Sequence, residues 1–114
     1  MKLSNVLEDK FIGSFIGLSL GDALGAPYEG GLIERFLWKF FSKTPTGKMR
    51  WTDDTQMSID IAETLIEKKK IDVNFLAQKF ASSYKWSRGY GPAAGKVLKS
   101  IRKGTQWEIA SREI

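Results

Sequence analysis

The sequence predicts an all-α protein, a helical fold throughout, on three observations. Apolar residues recur at three- and four-residue spacing nearly everywhere, no sustained apolar–polar alternation marks a strand, and glycine or proline punctuates the chain where each helical run stops. The 114 residues amount to one domain's worth of chain. With 42% hydrophobic and 27% charged residues, the composition excludes a disordered or low-complexity chain.

The first helix is expected from Asn5, with Glu8 three residues later completing a capping box, to about Leu24, before Gly25 and Pro27 stop it. Phe11, Phe15 and Leu18 form its apolar stripe. Gly13, Gly17 and Gly21 recur every four residues, and three interior glycines cost about 3 kcal/mol of helix propensity against alanine. Such a stripe predicts close approach of another helix or of a ligand. A turn-rich stretch then leads into a short amphipathic helix carrying Leu32, Ile33, Phe36, Leu37 and Phe40, with Arg35 and Lys39 opposite.

The next helix is expected to begin at Thr52 and to turn Met57, Ile61, Ala62 and Leu65 inward, ending at Lys68, Lys69 and Lys70, which suit a helix C-terminus. Asp72 then caps a helix burying Leu76, Ala77, Phe80 and Tyr84, and 87–91 form a glycine-rich turn. Pro92 suits the first position of a helix packing Val97, Leu98 and Ile101 and ending at Gly104. Thr105 and Glu108 announce a further capped helix that the last six residues barely deliver, so the chain reads as truncated at its C-terminus.

Charge and composition bound the chemistry. A formal charge of +5 favours anionic partners mildly, yet no nucleic-acid-reading motif accompanies it, so no nucleic-acid partner is expected. The longest uncharged run, 11–21, is too short to span a membrane, and no membrane partner is expected. Glu8, Asp9 and Lys10 interrupt the basic start of a signal peptide, and with no cysteine the expected setting is the cytoplasm. The absence of cysteine and histidine removes thiolate and imidazole from both catalysis and metal ligation. Any metal must be held by oxygen, which favours Mg²⁺, Ca²⁺ or Mn²⁺.

Three places could carry chemistry. At 51–56 a hydroxyl and two adjacent carboxylates, Thr52, Asp53 and Asp54, stand at a helix start. A threonine cap and two first-turn acids that favour the helix dipole explain them structurally, whereas two diverging carboxylates also suit oxygen-loving cations. Asp22 falls on the apolar stripe of the first helix, where a carboxylate must be hydrogen-bonded, paired or metal-linked. Glu29 sits on a constrained loop, either solvated or facing a cleft.

Three stretches in order, GLSLGDALGAPYE at 17–29, WTDDTQM at 51–57 and RGYGP at 88–92, resemble the successive N-terminal motifs of the ADP-ribosylglycohydrolase family. The resemblance implies an all-α, Mg²⁺-dependent hydrolase that uses two ions to remove ADP-ribose from modified proteins or related ADP-ribose conjugates. Its partner would be an ADP-ribosylated protein or an ADP-ribose-containing small molecule. By the motif match Thr52, Asp53 and Asp54 correspond to metal ligands. Glu29 corresponds to a catalytic glutamate beside metal and substrate, and Asp22 to a supporting residue.

The family's later Asp-x-Asp-Thr metal motif and its Gly-Asn-Gly-type loop do not occur in this sequence. The expectation is therefore a partial domain over 1–114 with a partial metal site. The apolar faces that a second half would cover would favour self-association or a completing chain. The alternative is a non-catalytic ADP-ribose-binding or interaction module derived from such an enzyme.

Overall fold

The computed structural model describes residues 3–41 and 43–113. Among them it forms six α-helices and no strand, in agreement with the all-α expectation. These are α1 (Leu3–Gly25), α2 (Leu32–Phe41), α3 (Asp53–Lys68), α4 (Val73–Ser83), α5 (Pro92–Arg102) and α6 (Trp107–Ala110). Single 3₁₀ turns at Ala26–Tyr28 and Trp86–Arg88 fall where the sequence places Pro27 and the glycine-rich turn. The chain divides into two compact units, Met1–Thr55 and Gln56–Ile114.

In the first unit α1 already includes Leu3, so Asn5 lies inside the helix and does not cap it. The turn before α2 needs its glycines. Gly30 has φ +81°, and a Cβ on Gly31 would stand 2.7 Å from the Glu34 carboxylate, which folds back over the helix start. The first-turn acid thus lies where the positive end of the helix dipole favours it.

Several packing expectations for this unit are not met. Among the described residues no other segment lies within 4 Å of the positions a Cβ would occupy on Gly13, Gly17 or Gly21, so within them no close approach accounts for that stripe. Phe11 is 65% exposed, Leu18 is also exposed, and every apolar residue of the α2 stripe is exposed. The periodicity correctly gave helices; no described segment covers their apolar sides.

The second unit holds the core. Ala81 of α4, Ile101 of α5 and Ala110 of α6 are buried together, with Ala77, Val97 and Trp107 packed against them. Asp72 caps α4 as expected, accepting from the Phe75 amide at 3.0 Å. Pro92 is the first residue of α5, and Gly104 with φ +105° follows its end. The short α6 is capped by Gln106, without a side-chain bond, so the Thr105–Glu108 capping box does not form.

The buried side of α3 is polar where the sequence suggested apolar residues. Asp60 and Thr64 are essentially inaccessible, whereas Ile61 and Leu65 are exposed. The helical period was legible, but its inward side was assigned from hydrophobicity; hydrogen bonds from α4 allow the polar side to be buried instead.

Arg102 ties α5 to the end of α4. Its Nε donates to the Ala81 carbonyl at 2.9 Å, and its Nη2 donates to the carbonyls of Tyr84 at 2.7 Å and Ser82 at 3.4 Å. These are the orphan acceptors of a helix C-terminus, met by a cation that the helix dipole also favours. Arg102→Ala is expected to lower the unfolding free energy by about 2 kcal/mol, read from the urea midpoint, and Arg102→Lys to recover only part because the planar fork is lost.

Candidate metal-binding site

Within the first unit, the end of α1 and the start of α3 are joined through one carboxylate. Asp22 Oδ2 accepts from the Thr52 amide at 2.8 Å and from the Thr55 hydroxyl at 2.6 Å, while Oδ1 accepts from the Thr52 hydroxyl at 2.5 Å. Both threonines are buried, Thr55 completely. The position of Asp22 on an apolar stripe demanded a partner, and hydrogen bonds supply it. Burial acts to raise the Asp22 pKa, but the three donors outweigh it and hold the carboxyl below its ordinary value.

Thr52 has a second task. Its Oγ1 accepts from the Asp54 amide at 3.3 Å, which is the N-cap bond, so the expected helix start is correct to within one residue. The same hydroxyl therefore donates to Asp22 and accepts from α3. This fixes the orientation of the first turn, on which Asp53 and Asp54 stand side by side. Asp54 is exposed, whereas Asp53 is partly buried and accepts from the Asp54 amide at 3.1 Å. Burial and then the neighbouring Asp54 charge push the Asp53 carboxyl above its ordinary value.

The donor set can be weighed against a cation on chemistry alone. Two carboxylates and a hydroxyl are hard oxygen ligands of the kind Mg²⁺ takes, and two like charges on adjacent residues are what a cation relieves. Among the described residues, however, no group of three or more acidic, histidine or cysteine side chains could enclose a metal. The residues fit one side of a Mg²⁺ site, with the other positions open to water or to further ligands.

Glu29 follows the 3₁₀ turn, exposed, its amide donating to the Ala26 carbonyl at 3.2 Å. No hydrogen bond among the described residues joins its carboxylate to Asp22, Thr52, Asp53 or Asp54. Thr55 is the hydrogen-bonding neighbour of Asp22 to which the sequence assigned no role. Its signal was its i+3 spacing from Thr52, which puts both hydroxyls on one helix face.

The family model for ADP-ribosylglycohydrolase matches residues 3–113. The chain belongs to the ADP-ribosylglycohydrolase family. An ADP-ribosylhydrolase of Xenopus tropicalis is 31% identical over 111 residues, which cover 90% of this chain and 32% of the relative. The ADP-ribosyl-[dinitrogen reductase] glycohydrolase of Rhodospirillum rubrum is 35% identical over 83 residues, covering 66% of this chain and 28% of that protein. A protein of Archaeoglobus fulgidus is 34% identical over 118 residues, covering 91% and 37%. The chain thus spans about a third of the length of the curated relatives it matches. No solved structure matches it. Among the described residues no helix is long and apolar enough to cross a membrane.

Proposed function

We propose that this chain carries the N-terminal half-site of a Mg²⁺-dependent hydrolase that removes ADP-ribose from modified proteins or from related ADP-ribose conjugates in the cytoplasm. The observation that carries the reading is the Asp22 latch, which fixes the α3 start so that Asp53 and Asp54 are presented together. Membership of the family and relatives named for hydrolysis of ADP-ribosyl groups support it.

In this reading Thr52, Asp53 and Asp54 hold the ions, Asp22 positions them, and Glu29 is the catalytic glutamate. Cleavage at the anomeric carbon passes through an oxocarbenium-like state. The bound ions would supply Lewis acidity, orienting ribose hydroxyls and lowering the pKa of water. The chain's own residues contribute fixed geometry: Asp22 holds Thr52 and Thr55 so that the first turn of α3 needs no rearrangement to receive a ligand. Glu29, on its loop, orients the attacking water. Exposed apolar side chains of α1 and α2, Phe11, Ile16 and Leu32 among them, offer a surface for a second copy or for a completing chain.

The test is release of ADP-ribose from mono-ADP-ribosylated protein with Mg²⁺ present. Release that ceases in Asp53→Ala/Asp54→Ala and falls at least about tenfold in Glu29→Gln, as expected on losing a positioned general base, supports the reading. Saturable ADP-ribose binding without turnover contradicts hydrolysis by this chain and favours a binding module.

A further inference from the structure

One side of α1 carries two parallel rows. Ile12, Ile16, Leu20 and Leu24 follow one another at four-residue spacing, and Gly13, Gly17 and Gly21 run beside them one residue on. In a helix such i±4 rows form a ridge where the side chains are large and a groove where they are absent. The ridge extends over about 18 Å of helix axis and the groove over about 12 Å alongside it.

Both rows are open. The four ridge residues are between 51% and 61% exposed. Among the described residues no other segment approaches within 4 Å of a Cβ position on any of the three glycines. Ser14 and Leu18 border the groove on its far side, and both are exposed. At 100° per residue this face lies opposite the one that carries Phe15, Ser19 and Asp22, the partly buried side of α1.

The face is also free of charge. No charged residue occurs between Lys10 and Asp22, and Asp22 is engaged with Thr52 and Thr55 on the other side, so a charged partner finds nothing here to pair with. Large apolar residues without charges are the composition of the core of a protein–protein interface. The ridge together with Leu18 presents roughly 500 Å² of apolar surface per copy, or about 1,000 Å² for a pair, the size at which specific interfaces begin.

We propose that this face of α1 pairs with the same face of a second copy of the chain, about a two-fold axis near Gly17. Each ridge then fills the other copy's groove, the packing of i±4 rows on i±4 rows that crosses two helices at about −50°. A two-fold contact requires one surface to be its own complement, and a ridge lying beside a groove of the same direction meets that requirement. The glycines, which cost helix stability in water, become the floor on which Ile16 and Leu20 of the other copy rest. The face uses none of the residues assigned to the metal, so this inference goes beyond the proposed hydrolase and stands or falls separately.

The test is sedimentation equilibrium of the 114-residue chain from micromolar to near-millimolar concentration. The expected result is a reversible equilibrium between the mass of one chain and that of two, with a dissociation constant in the micromolar range, as suits an interface of this size. Gly13→Ala/Gly17→Ala/Gly21→Ala should weaken pairing at least about tenfold, because three methyl groups hold the backbones apart. The same variant should gain helicity by circular dichroism, since alanine is the better helix former, so its loss of pairing is not loss of fold. Ile16→Glu, which sets a charge in the ridge, should abolish pairing. Ile66→Glu, at a more exposed isoleucine of α3, should shift it less than about twofold.

A single-chain mass at every concentration overturns the proposal and leaves the face to a different chain. Association that the alanine variant leaves unchanged or strengthens, or that Ile16→Glu and Ile66→Glu weaken equally, also overturns it, as non-specific contact among apolar surfaces. Asp53→Asn/Asp54→Asn should leave the equilibrium unchanged, which separates this outcome from failure of the metal reading.

Discussion

Asp22→Ala is expected to lower the unfolding free energy by about 3 to 4 kcal/mol, one of the largest effects available to a single substitution in this chain. The change removes one acceptor group and strands three donors: the Thr52 amide and the hydroxyls of Thr52 and Thr55. Both threonines are buried, so water cannot readily replace the carboxylate, and each unsatisfied donor costs about 1 to 3 kcal/mol. Thr55→Val, which removes one donor and leaves the carboxylate with two, should cost only about 1 kcal/mol. Urea unfolding measures both through the midpoint. Equal effects of the two substitutions would show that Asp22 contributes one bond and no more.

At neutral pH, Asp60→Asn is expected to stabilise the protein by about 1 to 2 kcal/mol, the scale of relieving an imperfectly satisfied buried polar group. Asp60 is 1% exposed. Its Oδ1 accepts from Gln56 Nε2 at 3.2 Å and from the Ser83 hydroxyl at 2.8 Å, while Oδ2 has no hydrogen-bond partner among the described residues. Burial pushes its pKa up, and the Ser83 and Gln56 donors only partly offset that.

A carboxyl whose folded pKa lies above its unfolded value binds more protons folded than unfolded in the interval between the two, so stability falls as pH rises across it. The loss should therefore begin near the ordinary value of 3.8 and extend upward. Below that interval Asp60 is protonated in both states. Parent and Asp60→Asn should accordingly converge at low pH and separate as pH rises. The Lys79–Glu63 pair, 2.8 Å apart with Glu63 half exposed, does not compete with this effect, because a surface pair contributes little. Unfolding midpoints from pH 3 to 7 decide the matter; parallel curves for parent and variant would contradict it.

Helix positions were legible because they depend on local pattern. Asp72, Pro92 and Gly104 each sit where cap and stop chemistry placed them. The directions in which helices face were less legible. Hydrophobicity assigned Ile61 and Leu65 of α3 inward, yet Asp60 and Thr64 are the buried residues, satisfied in part by Ser83 from a helix 23 residues away in sequence. Such a long-range partner leaves no periodic trace.

The site shows the same division. The acids at 53 and 54 stand out in the sequence, and Asp22 stood out as an acid on an apolar stripe, but their link through Thr52 and Thr55 is a tertiary fact spanning 30 to 33 residues. Gly13, Gly17 and Gly21 mark the opposite failure, a pattern with a clear physical meaning that no described neighbour fulfils.

The proposed half-site requires the Asp22 latch to present Asp53 and Asp54 to a cation, and calorimetric titration of Mg²⁺ into the chain and its variants tests this most directly. With few protein ligands and a reluctantly dehydrated ion, affinity should be on the order of millimolar. Binding should be abolished in Thr52→Ala/Asp53→Ala/Asp54→Ala and weakened at least about fivefold in Asp22→Asn, the cost of about 1 kcal/mol of lost positioning. Mg²⁺ binding that is the same in the parent, the triple variant and Asp22→Asn would contradict it.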